Sequence, residues 1–139
     1  MSAASDYLEN KIIESVFRGA TFTLPAKLYI ALHTANPTDA GGNEVTAGGW
    51  PSYARQDAAK GGANSAGWIA AADGVTKNAL QLIFPVFDGV ADLTVTHFSV
   101  YDALTGGNML VYGALLTART VQNGDVFVVD VQKLTVQVL

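Results

Sequence analysis

The sequence predicts an all-β domain: an antiparallel β-sandwich or barrel of about six to eight strands with one N-terminal α-helix. Three observations carry that expectation. Short runs from Lys27 onward alternate apolar and polar residues with a period of two. Glycine, asparagine and proline turns separate those runs at intervals of roughly 8–14 residues. Helical spacing of apolar residues is confined to the first 19 residues.

The helix comes first in the chain. Asp6 with Glu9 three positions later is a capping-box-like start, and acids there suit the positive end of the helix dipole. Leu8, Ile12, Ile13, Val16 and Phe17 form its apolar stripe, Arg18 sits in its last turn and Gly19 is placed to cap it. A helix this short needs something to pack on, and the expectation is its own core rather than a partner.

Strands follow. Lys27–His33 alternates Leu28, Ile30 and Leu32 with Tyr29, Ala31 and His33. Residues 34–78 hold eight of the 14 glycines and two of the four prolines, including Asn36-Pro37, Gly41-Gly42, Gly48-Gly49 and Gly61-Gly62. Short strands are expected within this segment at Tyr53–Ala58 and Trp68–Ala71, since Trp50, Tyr53 and Trp68 supply large apolar anchors. The second half reads as strands at Leu80–Phe84, Leu93–Tyr101, Met109–Leu116, Leu116–Val121, Val126–Val131 and Lys133–Leu139. Thr105-Gly106-Gly107-Asn108 makes one turn among them. Asn123-Gly124 is a hairpin signal expected to join Leu116–Val121 to Val126–Val131. The 139 residues read as one domain, with the helix at 1–19 and the β-domain at 20–139.

Composition then narrows the function. Charged residues make up 14% of the chain, against about 25% in a typical soluble domain. Hydrophobic residues reach 50% and the mean hydropathy is +0.26. Twenty charged side chains are few for the surface of a free monomer, so part of the surface is expected to be buried against other chains. The net charge of −4, with eight basic residues scattered along the chain, argues against nucleic-acid binding. No apolar run approaches the roughly 20 residues that span a bilayer, so no membrane partner is expected. The N-terminus does not read as a secretory signal. There is no cysteine, hence no disulfide, thiolate metal site or thiol nucleophile.

Motifs of catalysis are lacking too. No phosphate-binding glycine loop, Gly-x-Ser-x-Gly elbow or His-Glu-x-x-His pair occurs. His33 and His97 can each be drawn with an aspartate, as His33–Asp39 or His97–Asp102, but two ligands do not make a metal site. The run Asp39-Ala-Gly-Gly-Asn-Glu44 resembles a fragment of a calcium loop without its regular acidic spacing, and an ordinary surface turn explains it. No catalytic residue, cofactor site or metal site is assigned. Trp50, Tyr53 and Trp68 could stack on a sugar, although core or interface aromatics are the simpler reading.

Several strings, in order, carry a resemblance. They are Asp6-Tyr-Leu-Glu-Asn-Lys-Ile-Ile13, Lys27-Leu-Tyr-Ile-Ala-Leu-His-Thr-Ala-Asn-Pro37, Glu44-Val-Thr46 and Tyr53-Ala-Arg-Gln56. Ile83-Phe-Pro85, Val95-Thr-His-Phe98, Tyr101-Asp-Ala103 and Thr105-Gly-Gly-Asn108 follow, and then Tyr112-Gly-Ala-Leu115, Thr120-Val121, Gly124-Asp125 and Leu134-Thr-Val136. Together they resemble a family of small tailed-bacteriophage virion proteins, labelled tail-fibre-like, with relatives that decorate capsids. One departure is Asp88-Gly-Val-Ala-Asp92, where a Trp-Gly segment would be expected.

The resemblance implies a non-enzymatic structural protein with no catalytic residues to carry over and no cofactor. Capsid decoration, as a cement protein on the virion surface after synthesis in the host bacterial cytoplasm, is the expectation. A short tail-fibre or baseplate component contacting the host surface is the alternative. The implied partners are the major capsid protein and copies of the chain itself, as a trimer or dimer. Tyr7, Leu8, Trp50, Tyr53 and Trp68 are the expected interface residues, because aromatic and large apolar side chains enrich interface centres.

Overall fold

A computed structural model of the chain describes residues 2–138. The first element is a strand, β1 (Ser2–Ala4), and the helix α1 (Asp6–Arg18) begins after it. The expected helix over 1–19 is thereby shortened. Ser5 rather than Asp6 is the N-cap, its hydroxyl accepting from the Leu8 N–H at 3.3 Å, and Asp6 and Glu9 fill the first turn. Gly19 closes the helix at φ 71°, as its position suggests.

The main sheet has the order β1-β7-β6-β2-β3. Its members are β2 (Tyr29–His33), β3 (Gln56–Asp57), β6 (Leu93–Tyr101) and β7 (Met109–Val121), with β1 on the far edge. Two small ladders complete the nine strands of the described residues: β4 (Val75–Lys77) with β9 (Thr135–Gln137), and β5 (Leu82–Ile83) with β8 (Val128–Val129). Every pairing is antiparallel, and the small ladders lie across one face of an open sheet. The arrangement is sandwich-like, with the expected N-terminal helix and one further helical turn, α2 (Asn64–Gly67).

Between the layers lies an aromatic core. Trp50 meets Phe87 edge-on at 5.3 Å between ring centroids, and Phe84 meets Phe127 in the same way at 5.7 Å. Ile30, Leu32, Val95, Phe98, Val100 and Val111 come from the main sheet, and Leu82, Val129 and Leu134 from the opposite side. The period of two in β2 sends Ile30 and Leu32 into this core and Ala31 into a smaller cluster with Tyr101 and Met109 on the other face. Asn78, fully buried, pins the last layer: its Nδ2 donates to the Leu80 and Asp130 carbonyls, and its Oδ1 accepts from the Leu134 N–H.

Tertiary pairing revises several expected strands. Leu93–Tyr101 appears with those same bounds. Met109–Leu116 and Leu116–Val121 are one strand, because both halves find β6 as their partner. Its register slips between the Val95–Arg119 and His97–Ala114 pairs, so four residues, Leu115–Ala118, face Thr96 alone. The Asn123-Gly124 turn forms, with Gly124 at φ 95°, but β8 beyond it pairs with β5 and not with β7. Around Trp68 there is a single bridge to Asn78 instead of the expected strand. Tyr53–Ala58 contracts to the two residues of β3.

The helix departs most from expectation. Leu8 packs against the core and Ile12 is half-buried, but no residue of α1 is fully buried and Ile13, Val16 and Phe17 face solvent. Its first turn is held by Ser5, whose N–H donates to the Leu110 carbonyl and whose hydroxyl donates to that of Met109. Beyond that turn the cover is partial: Ile12 and Ser15 are half-buried and the other residues to Arg18 are exposed.

Trp50→Ala is expected to destabilise the folded chain by about 3–5 kcal/mol, because it removes the largest ring from a closed aromatic core. Urea unfolding followed by near-UV circular dichroism measures this. Gly67→Ala should cost about 1–3 kcal/mol by overpacking, since a Cβ there would lie 2.7 Å from the Ala58 backbone.

Candidate functional site

Two features invite a functional reading: a buried polar cluster under the loops and an apolar surface on α1. The cluster is built by the glycine-rich segment. Residues 34–44 fold back over β2, where the His33 Nδ1 lies 2.8 Å from the Gly42 carbonyl, and Arg55 enters just before β3. Arg55 makes a two-pronged ion pair with Glu44, Nε to Oε2 at 2.9 Å and Nη2 to Oε1 at 2.7 Å. Its Nη1 donates to the carbonyls of Ala103 and Gly106, both at 2.8 Å, and its guanidinium lies 3.6 Å from the Tyr101 ring centre. Tyr53 donates its hydroxyl to Glu44 Oε2 and accepts the Leu32 N–H.

The electrostatics are those of a locked structure. Burial raises the Glu44 carboxyl, but the hydrogen bonds and charge of Arg55 outweigh it and the net shift is downward, so Glu44 stays ionised. Burial raises the Tyr53 hydroxyl far above its ordinary value, which leaves it a permanent donor. A shallow depression lined by Glu44, Tyr53, Arg55, Leu104 and Thr105 opens above the pair. The carboxylate oxygens at its floor are already engaged by Arg55 and Tyr53.

His33 accompanies this cluster. A carbonyl accepts only, so the Nδ1 facing Gly42 carries the proton, and Nε2 accepts from Ser99 Oγ at 2.7 Å. A serine hydrogen-bonded to a histidine has the composition of a nucleophile and its base. Both residues are fully buried, however, so no substrate reaches the hydroxyl. His97 bonds the neighbouring Thr96 hydroxyl at 2.7 Å and has no nearby carboxylate among its bonded partners.

The aspartates of the drawn metal pairs are engaged by backbone N–H groups, Asp102 accepting that of Asn108 at 2.7 Å. Asp39 accepts the Asp6 N–H while Glu44 is consumed by Arg55, so the acids of the 39–44 run serve separate partners. Among the described residues no group of three potential ligands converges. Likewise, among the described residues no helix is long and apolar enough to cross a membrane.

The expected interface residues fall in different places. Trp50 is 0% exposed at the centre of the core, so its assignment to an interface is corrected: its ring is consumed by Phe84, Phe87 and Tyr53. Tyr53 and Trp68 are half-buried and lean on the same core, Tyr53 through its stack on Phe84. Tyr7 and Leu8 are half-buried in the rooted first turn of α1. The structure does not gather the five into one patch. Sequence reasoning passed over a different set: Val16 at 70% exposure and Phe17 at 79% in the last turn of α1, Leu24 at 74% beyond it, and Leu116 at 91% on the β7 bulge. The signal was present in the apolar stripe of α1, which was allotted to the core. Covering such side chains fully would contribute about 1.5–3 kcal/mol each.

A family model described as podophage GP4 fiber I protein gp80 matches residues 3–137. The match takes in nearly the whole chain and agrees with the resemblance to small tailed-phage virion proteins; the chain belongs to that family. No curated protein matches it.

Two outcomes follow from the polar cluster. Arg55→Lys replaces a fork that serves four acceptors with a point charge, and should cost about 1.5–3 kcal/mol in urea unfolding. Burial holds His33 below its ordinary 6.5, against the opposing pull of Gly42 and Glu44. The unfolded chain therefore binds the proton more readily. The neutral ring's contribution is full above about pH 6.5 and is lost as pH falls through and below it. Stability should decline as pH falls below about 6.5, with Glu44 adding a further loss below about 4.5. Urea midpoints across this range check the slope, and His33→Gln should flatten its upper part.

Proposed function

We propose that this member of the podophage GP4 fiber I protein family is a non-enzymatic structural subunit of a tailed-phage particle, working in several copies as part of a short fibre-type appendage. The observation that carries the reading is the family match over residues 3–137, whose description is that of a fibre protein. The buried state of the Ser99–His33 pair and the saturated Glu44–Arg55 pair support a structural role over a catalytic one. The uncovered apolar residues of α1 support assembly with other copies or other virion proteins.

A second reading is decoration of the capsid shell as a cement protein bound to the major capsid protein. It is favoured by the low charge and by the lack of any heptad or collagen-like tract, the usual sequence basis of a long fibre. Under either reading the protein makes its contacts through its surface. The copies form a trimer or a dimer.

Copy number separates the two. Quantitative mass spectrometry of purified particles, scaled to the major shell protein, should find a small multiple of the tail's symmetry if the protein belongs to a fibre. Copies in simple ratio to the shell subunits would replace the fibre reading with decoration. Absence from purified particles would overturn both.

A further inference from the structure

The Asn123-Gly124 pair does more than turn the chain. It is the one Asn-Gly pair of the sequence; the other asparagines precede Lys, Pro, Glu, Ser, Ala or Met. Glycine has no Cβ to hinder attack by its own backbone nitrogen on the side-chain amide before it. In that reaction the Gly124 nitrogen, deprotonated by hydroxide, attacks Cγ of Asn123. The Cγ–Nδ2 bond breaks, ammonia leaves and a five-membered imide closes. Water then opens the ring at either carbonyl, leaving aspartate or isoaspartate. Asn123 is exposed, so water and hydroxide reach it.

The fold engages both reacting groups. Asn123 and Gly124 are the central residues of a tight turn closed by the Asp125 N–H on the Gln122 carbonyl at 2.8 Å, with Gly124 at φ 95°. Residues 86–89 lie against this turn as a strap. The N–H of Gly124, the nitrogen that would attack, donates to the Phe87 carbonyl at 2.8 Å. The Phe87 N–H donates to the Asp125 carbonyl, also at 2.8 Å. Asn123 Nδ2, the nitrogen that would leave, donates to the Gly89 carbonyl at 3.2 Å.

The strap is itself fixed. Phe87 is fully buried against the edge of Trp50. Ser52 holds Asp88 Oδ1 through its N–H at 3.0 Å, and its hydroxyl lies 3.0 Å from the same oxygen and 3.1 Å from the Val86 carbonyl. Gly89 sits where a Cβ would collide with the Gly49 carbonyl oxygen and the Phe87 ring. Charge acts in the same direction. Asp88 adjoins Gly89, Asp125 accepts the Gln122 N–H at 2.8 Å, and Asp92 accepts the Gln122 side chain at 3.3 Å. Three acids about the turn disfavour the negative nitrogen that the attack requires.

We propose that Asn123 is a deamidation site kept shut by the 86–89 strap, which occupies both the attacking nitrogen and the leaving amide in the folded chain. Conversion to aspartate removes the donor to Gly89 and places a fourth acid at the turn, so a modified turn holds the strap less well. This protection does not depend on where in a particle the protein sits.

Peptide mapping by mass spectrometry tests this. Trypsin releases residues 120–133, which contain Asn123 as their single asparagine. In the urea-unfolded chain at neutral pH, Asn123 should be converted before any other asparagine. In the folded chain at the same pH and temperature it should convert at least about tenfold more slowly, the effect of two hydrogen bonds on the reacting groups. Gly89→Ala forces the strap off the turn. Asp88→Ala releases Ser52 and removes one acid at an exposed position, and it decides the matter should Gly89→Ala fail to fold by circular dichroism. Each folded variant should convert Asn123 about threefold faster than the native chain, or more. Three results would overturn the proposal: an unfolded chain converted first at another asparagine, a folded native chain converted at Asn123 as fast as the unfolded one, or a folded Asp88→Ala variant no faster than native.

Discussion

The loop-rich half of the molecule is organised around the guanidinium of Arg55. In one plane it binds both oxygens of Glu44 and the carbonyls of Ala103 and Gly106, and its flat face rests on Tyr101. Those contacts join three segments distant in sequence: the glycine-rich connection after β2, the approach to β3, and the turn between β6 and β7. A lysine could carry the charge but could not span four acceptors from one position. Glu44 in turn fixes Tyr53, whose ring stacks on Phe84, so the polar tie continues directly into the aromatic core. The long connection therefore holds one conformation with almost no regular secondary structure of its own.

His33 extends the same tie to the second face of the sheet. Its ring sits between the Gly42 carbonyl and the Ser99 hydroxyl, fastening the 34–44 segment over β2 and β6. Buried polar groups of this kind cost free energy unless every partner is present. Here the partners are present, which accounts for a cluster that looks chemically rich and yet offers no open reactive group. The body that results leaves α1 without a fully buried side chain.

A large part of the fold was legible in the chain. Alternation marked β2 to within two residues at its ends, and a run of β-branched and aromatic residues marked β6 with its own bounds, because such side chains fit a packed, pleated surface. Gly19 and Arg18 marked the helix end. The family, too, was readable from ordered strings, and the family match spans nearly all of the chain. The three-residue strands β1 and β4 left no such imprint, since they owe their existence to a partner strand and not to their own pattern.

The site divides along the same line. Residue type alone nominated Trp50, and its size made it equally suited to a core or an interface; only packing against Phe84 and Phe87 placed it inside. Residue type likewise gave no reason to join Arg55 to Glu44, eleven positions apart, or His33 to Ser99, sixty-six apart. By itself the sequence determined the class of fold, the helix with its cap, the turns and the scarcity of charge, all local or compositional properties. The tertiary structure decided which strands pair, which apolar residues the core uses and which are left over. Those outcomes depend on a finite core: once Trp50, the inward residues of the strands and the Phe84–Phe127 pair fill it, Leu8 alone of the α1 stripe packs against that core and Ile13, Val16 and Phe17 stay outside.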